Sequence, residues 1–545
     1  MSPKGPTGST PMTAARKIDL YDTTLRDGSQ GEGVSFTVQD KLVVTEKLDD
    51  LGIRYVEGGW PGSNPRDAEY FKAASKLKLK NARVTAFGST IRPGKTPSQD
   101  DNVKALLVAD TPAVTIVGKT WAEEVRSSLR ISLSANVDLI GKTIAYLSKR
   151  VDEVILDAEH FFDGYAANRK YALQCLQAAI DGGANVLCLC DTRGGSLPDD
   201  IAAAVTEVRS LGTNIGIHTH DDSGLAIANA LAAVKAGAIQ VQGTMNGFGE
   251  RCGNANLCTL LPTLQLKLGY KCVTVRQLKK LGETSRHLYE LANMVPNRQA
   301  PYVGVSAFTH KGGLHVSAIK RNSSSYEHIE PEIVGNAQRV LVSDLSGRSN
   351  IEYKARQFGI DLDNRVDELG DLLAQVKRLE KSGFQFEGAD ASLELLLRAS
   401  LNGKEAFFKL IGFRVIDEKR HEDEPAQTEA TVMIEDPEGK IEHTAATGNG
   451  PVHALDLALR KALVRCYPTL SDVTLHDYKV RVLAGDEGTA GLVRVLIESG
   501  DSEKRWGTVG VSHNVVEASW QALVDSLAYK LLKDGLTRAR RSRAK

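Results

Sequence analysis

Two stretches of this sequence carry residue types and spacings that could do chemistry together: Asp22-Thr-Thr-Leu-Arg-Asp-Gly-Ser-Gln30 and His218-Thr-His220. In the first, Arg26 sits beside Asp27, and Gly28 then breaks the backbone pattern. A cation beside a carboxylate where a loop opens suits a site that holds a metal ion and an anionic oxygen together. Taken alone, the stretch also reads as a capped strand-to-helix turn, because Asp and Thr are common N-caps. In the second stretch, residues i and i+2 of a strand share a face, so both imidazoles point the same way. Two imidazoles with one or two oxygen ligands such as Asp27 suit Mg²⁺, Mn²⁺, Co²⁺ or Zn²⁺ with open positions. Such a cation, with Arg26 alongside, would chelate a 2-oxo acid through its keto and carboxylate oxygens. The metal acts as a Lewis acid on the ketone, and Arg26 stabilises the developing alkoxide. The chemistry is carbon–carbon bond formation or cleavage next to a ketone, with the direction left open.

These residues need a scaffold that brings distant segments to one place. Short apolar runs at 18–21, 55–57, 84–87, 113–117, 153–156, 186–190, 215–217 and 239–241 alternate with helical stretches such as 39–51, 135–150, 167–182, 197–211 and 224–237. Strict alternation implies a parallel sheet. Eight such units in roughly 250 residues fit an α/β (β/α)₈ TIM barrel. A doubly wound sheet is the alternative, but no GxGxxG follows the first run. Active sites on the barrel lie at the C-terminal strand ends. The residues there are chemically loaded: Arg26 and Asp27, Glu57, Lys119, then Asp157, Glu159 and His160, then Asp191 to Arg193, then His218 to Asp222, and finally Asn246 to Asn254.

Composition narrows the class. The chain has 545 residues, more than one core supports, with 42% hydrophobic and 25% charged residues, as in an ordinary globular protein. Lys+Arg and Asp+Glu are 68 each, so no polyelectrolyte signature points to nucleic acid. No apolar run approaches the ~20 residues of a membrane span, and residues 1–16 read as a flexible leader without a signal-peptide core. A cytoplasmic location is expected. Seven cysteines without CxxC spacing read as buried thiols. Residues 536–545 form a basic, flexible tail.

After the barrel (17–285), residues 286–400 read as helical linker subdomains. They include the glycine-rich stretch Phe308-Thr-His-Lys-Gly-Gly-Leu-His-Val316, followed by Tyr326. Residues 401–535 read as an α+β domain with an internal repeat. Gly448-Asn-Gly-Pro-Val452 and Gly510-Val-Ser-His-Asn514 each precede a helix, suggesting a duplicated ββα-like unit. Such a duplication suits a small-ligand site, or dimerisation alone.

The motifs resemble the acyl-CoA-condensing metal-dependent barrel enzymes, the family of 2-isopropylmalate, homocitrate and citramalate synthases. Asp22-x-x-Leu-Arg-Asp-Gly-x-Gln30, His218-x-His220-x-Asp222-x-Gly224-x-Ala226-x-Ala228-Asn229 and Gly247-x-Gly249-Glu250-Arg251-x-Gly253-Asn254 carry the resemblance over nearly the whole chain. It implies Asp27, His218 and His220 as metal ligands, with Asn254 a fourth contact and Mn²⁺ or Mg²⁺ ahead of Zn²⁺ or Co²⁺. It implies that Arg26 binds the keto oxygen, Thr192 the substrate carboxylate, and that Glu159 assists near the reacting centre. Asp157 is counted with the substrate-binding residues, although it and His160 sit where relatives vary. His315 and Tyr326 would reach the active site of the partner in a homodimer, with His315 as base toward the acetyl group. The loop Glu57-Gly-Gly-Trp-Pro-Gly-Ser-Asn-Pro65 is similar to that of the citramalate branch. This implies acetyl-CoA, pyruvate and water as substrates, (R)-citramalate and CoA as products, and isoleucine as the feedback amino acid. The alternative is the isopropylmalate branch, with 2-oxoisovalerate and leucine. A retro-aldol lyase and an amino-acid-sensing protein on an inactive barrel are the remaining readings. The intact Arg26, Asp27, Glu159, His218 and His220 set argues against the latter.

Overall fold

A computed structural model describes residues 16–343, 346–362, 366–403, 406–483 and 490–535. The expected basic tail and all but the last residue of the expected leader lie outside the described residues. The chain forms two compact units, one of residues up to Phe308 with Ile329–Ala337, the other of Thr309–His328 with the residues from Gln338 onward. No helix among the described residues is long and apolar enough to cross a membrane.

The first unit is a closed barrel of eight parallel strands in sequence order. They are β1 (Asp19–Asp22), β2 (Tyr55–Gly59), β3 (Arg83–Ser89), β4 (Ala113–Lys119), β5 (Glu153–Glu159), β6 (Val186–Asp191), β7 (Asn214–Thr219) and β8 (Gln240–Gly243). β1 pairs with β8, Asp22 opposite Gly243, and closes the ring. Every expected apolar run is one of these strands. Alternation along each strand sends one set of side chains outward and the other inward. Leu20, Val56, Val114, Leu156, Leu187 and Ile217 pack with the helices. Tyr21, Tyr55, Ala113, Ile155, Val186, Cys188 and Cys190 form a separate buried cluster, and the rings of Tyr21 and Tyr55 stack at 5.7 Å. The interior is thus a packed core below the mouth.

Local chemistry starts the helices where the barrel needs them. Thr37 and Asp40 form a capping box at Val38–Leu51. Asn64 caps Pro65–Ala74, with proline at its first position. At the end of β2 the chain needs a glycine. Gly59 has φ +145°, and a Cβ there would lie 2.4 Å from the Asp67 carboxylate. That carboxylate accepts from the Trp60 amide at 2.8 Å and from Lys41 Nζ at 2.5 Å. The loop carrying Trp60 is therefore fixed by a buried ion pair. The helix expected at 167–182 starts earlier than its apolar pattern suggests, at Phe161, with a kink at Asn168.

In the second unit, the repeat is larger than the pattern suggests. Strands β9 (Thr309–His310) and β10 (Arg339–Val340) pair in parallel. Strands β11 (Lys409–Glu418), β12 (Gln427–Glu435) and β13 (Ile441–Gly448) form an antiparallel meander before the helix Pro451–Leu463. Strands β14 (Thr474–Val482), β15 (Val493–Gly500) and β16 (Arg505–Ser512) repeat it before the helix Val515–Lys533. Each repeat is therefore βββα. The first strand of each, β11 and β14, is largely exposed; β11 thereby escapes an alternation search, whereas the alternating run 479–483 marks β14. Leu455, Leu459, Trp520, Leu527 and Leu531 bury the two long helices in one core.

Candidate active site

Asp27, His218 and His220 converge at the barrel mouth. Their ligand atoms all lie within 4.8 Å of one another, and all three residues are buried. Asp27 Oδ2 is 3.2 Å from His218 Nε2 and 3.8 Å from His220 Nε2. The two Nε2 atoms are 3.2 Å apart. Nitrogen lone pairs and a carboxylate oxygen aimed at one point form a donor set for a divalent cation. Burial opposes charge on Asp27, yet Arg26 and His218 hold its carboxyl well below the usual range. Burial also opposes charge on His218, but its contact with Asp27 raises its pKa. Burial and the neighbouring His218 push His220 down to about 4, so that ring stays a neutral donor. Asn254 pairs with His220 through an isolated backbone bridge. Its buried Oδ1 has no hydrogen-bond partner among the described residues, which leaves that oxygen able to take one.

Arg26 is held on three sides. Its Nε donates to Glu57 Oε2 at 2.6 Å, its guanidinium lies 3.9 Å from the Phe87 ring centre, and Nη1 is 3.6 Å from Asp27 Oδ1. Burial works against its charge, but Glu57 and Asp27 outweigh it and raise its pKa. Glu57 is fully buried and also accepts from Tyr21 and Thr23 hydroxyls, each at 2.5 Å. Asp22 takes a different part. It accepts from the Thr24 amide at 2.9 Å and the Thr24 hydroxyl at 2.8 Å, so it braces the loop. Burial pushes its carboxyl up to about 7.

The remaining expected residues of the first unit line the same cavity, of about 440 Å³. Glu159 accepts from Lys119 Nζ at 2.8 Å, and Lys119 also reaches Glu124 at 2.6 Å. The Thr192 hydroxyl accepts from the His160 amide at 2.8 Å, so its own hydrogen is directed elsewhere. His160 reaches that position in the left-handed region, at φ 54°. Arg251 donates to both Asp222 oxygens, at 2.7 and 3.0 Å, and to the Thr192 carbonyl at 2.9 Å. That fork ties together the loops after β6, β7 and β8. Asp157 is buried on β5, and burial beside Glu57 pushes its carboxyl up to about 7. Trp60, Phe87, Ile91, Val117 and Leu139 supply an apolar wall.

His315 and Tyr326 belong to the second unit, where their rings lie 4.5 Å apart. His315 is on the helix Gly313–Arg321. Nearby, His310 Nε2 is 2.9 Å from Glu327, which also accepts from Gln338 at 2.8 Å. The cysteines are free, with Cys175, Cys188, Cys190 and Cys258 buried, but Cys252 and Cys466 are exposed, contrary to the expectation that all are buried. Sequence reading missed Gln242, fully buried between His218 and Asp157. Its signal was a polar residue alternating inward with Gln240 on a barrel strand.

An HMGL-like family model matches residues 17–287, a homocitrate synthase post-HMGL domain-like model 302–383, and a LeuA allosteric (dimerisation) domain model 387–531. An (R)-citramalate synthase from Geobacter sulfurreducens is 56% identical, covering 95% of this chain and 98% of the relative. One from Aquifex aeolicus is 53% identical, covering 95% and 99%. A 2-isopropylmalate synthase from Shouchella clausii is 30% identical, covering 94% and 96%. The chain belongs to the (R)-citramalate synthase family.

Proposed function

We infer that this chain is an acyltransferase that condenses acetyl-CoA with pyruvate and water, giving (R)-citramalate and CoA. The observation that carries the chemistry is the convergence of Asp27, His218 and His220 beside Arg26 on one cavity. The preference for pyruvate is supported by 56% identity to a citramalate synthase against 30% to a 2-isopropylmalate synthase.

Asp27, His218 and His220 would hold a divalent cation, with Asn254 Oδ1 as a further contact. Mn²⁺ or Mg²⁺ is the proposed ion, since the donors are nitrogen and oxygen without thiolate. Bound there, the cation supplies Lewis-acid polarisation of the keto group. Arg26 presents its Nη hydrogens to the keto oxygen and stabilises the negative charge that grows there. Thr192 donates its hydroxyl hydrogen to the pyruvate carboxylate. The apolar wall receives the pyruvate methyl. Asp157, on the cavity floor, closes the polar side of the substrate site.

The methyl group of acetyl-CoA loses a proton, its carbon bonds to the keto carbon, and the keto oxygen takes up a proton. Water then cleaves the thioester and releases CoA. His315 of the partner subunit is proposed as the base, with Tyr326 beside it. A histidine is charged or neutral near neutral pH, so it can both take and return the proton. Glu159, held by Lys119, is proposed to assist that transfer. Residues 17–285 form the catalytic domain in this reading, 286–400 the linker and 401–535 the regulatory domain.

The C-terminal domain supports dimerisation and binding of a regulatory ligand. Isoleucine is proposed as that ligand, and the linker of one chain as the cover of the other's site. The function is tested by following thiol release from acetyl-CoA with a panel of 2-oxo acids, with and without EDTA. Pyruvate should be turned over fastest, and EDTA should stop the reaction. Faster turnover of 2-oxoisovalerate overturns the pyruvate assignment, and EDTA-insensitive turnover overturns the metal.

A further inference from the structure

Gln242 is in register with His218 on the neighbouring strand. Its Oε1 lies 2.9 Å from His218 Nδ1, and its Nε2 donates to Asp157 Oδ1 at 2.9 Å. A carboxamide has one accepting end and one donating end. Asp157 Oδ1 is the acceptor in that pair, a role this oxygen keeps whether the carboxyl is ionised or carries its proton on Oδ2. The –NH₂ end must therefore face Asp157, and the oxygen must face the imidazole. His218 Nδ1 then has to carry the hydrogen, which leaves the lone pair on Nε2, the atom aimed at Asp27 and His220.

We propose that Gln242 is a positioning residue that, anchored by Asp157, locks His218 in the tautomer that binds the cation. This rests on the metal-site reading above. The other imidazole provides the contrast. His220 Nδ1 is buried and has no hydrogen-bond partner among the described residues. One ligand is thus preset through a chain from β5 to β8 to β7, and the other is not. The carboxamide also carries the influence of the Asp157 carboxylate toward His218, which increases the donor strength of Nε2.

The test is Mn²⁺ affinity of the full-length protein, read from the EPR signal of free Mn²⁺, together with the circular dichroism of each variant. Gln242→Leu removes both hydrogen bonds at similar volume. It should weaken Mn²⁺ binding by roughly 10–100-fold, the range for partners that orient a ligand. Gln242→Glu alone sets two carboxylates face to face and should also weaken binding. The double variant that combines Asp157→Asn with Gln242→Glu rebuilds the chain with its polarity moved: the new amide on β5 donates, and the new carboxylate on β8 accepts from both sides. Binding should return to within a few-fold of the parent. A merely space-filling Gln242 would not be rescued by that exchange.

Folded Gln242→Leu protein with parental Mn²⁺ affinity overturns the proposal. If Gln242→Leu does not fold, the double variant decides: near-parental affinity supports the lock, and weak binding overturns it. Failure of the metal-site reading itself is distinguishable, because then the parent protein would bind no Mn²⁺ and no variant could differ from it.

Discussion

The barrel mouth and the C-terminal repeat solve opposite problems. At the mouth, charged groups such as Arg26 and Glu57 are buried against partners of opposite charge. Glu57 is fully buried against Arg26, Tyr21 and Thr23. In the repeat, the buried core is apolar, and the outer strands β11 and β14 stay exposed with Ile411, Ile416, Val480 and Val482 on the surface. Burying charge is costly, so a fold does it where chemistry needs a fixed field. Exposed apolar strands are costly in another way, since open strands invite pairing. They suit a domain whose business is association.

The contrast breaks most easily at Glu57. Glu57→Leu takes from a buried guanidinium its hydrogen-bonded carboxylate and should cost about 3–5 kcal/mol of barrel stability. Urea unfolding measures it, and a cost below about 1 kcal/mol would mean that the pair behaves as a surface ion pair. Arg26→Leu should lower kcat by roughly 10²–10³-fold, the loss expected when a donor to a developing oxyanion is removed. Mn²⁺ affinity should change far less than kcat, because Arg26 donates no metal ligand.

The repeat should fail through packing. A Cβ on Gly510 would lie 2.0 Å from the Ala518 carbonyl oxygen. Gly510→Val should destabilise the second unit by about 1–3 kcal/mol through overpacking. Dimer content, read by light scattering, should fall while Mn²⁺ affinity holds. Lost Mn²⁺ affinity would mean that the two regions do not act separately.

How much of this was legible in the sequence follows the same division. All eight barrel strands were visible, because strands buried on both faces read as continuous β-branched runs. Arg26, Asp27, His218 and His220 were visible because chemistry leaves unusual residue types at strand ends. Gln242 was not, because its alternation with Gln240 marks a polar barrel interior but names no partner until its register with His218 is known. Strand β11 of the first repeat was hidden as well. Exposed strands lack the alternation that marks a half-buried one.

A smaller effect sharpens the role of Asp22. Burial raises its carboxyl to about 7, above the ordinary 3.8, so the folded state holds a proton that the unfolded chain has released. Its contribution to stability is fully present below the unfolded value and is lost as pH rises through the folded one. Asn cannot ionise. Asp22→Asn should therefore gain thermal stability relative to the parent between about pH 5 and about pH 8. A difference in melting temperature that does not change over that range would mean that Asp22 is ionised throughout.

The central claim is that one cation, held by Asp27, His218 and His220, is what this chain uses to join acetyl-CoA to pyruvate. The most direct measurement titrates Mn²⁺ into EDTA-stripped, dialysed protein while CoA release with pyruvate is followed. Turnover should rise in proportion to bound Mn²⁺ and level off at one ion per chain, and His218→Ala, still folded, should neither bind nor turn over. Turnover without bound metal, or full activity in His218→Ala, would contradict the account.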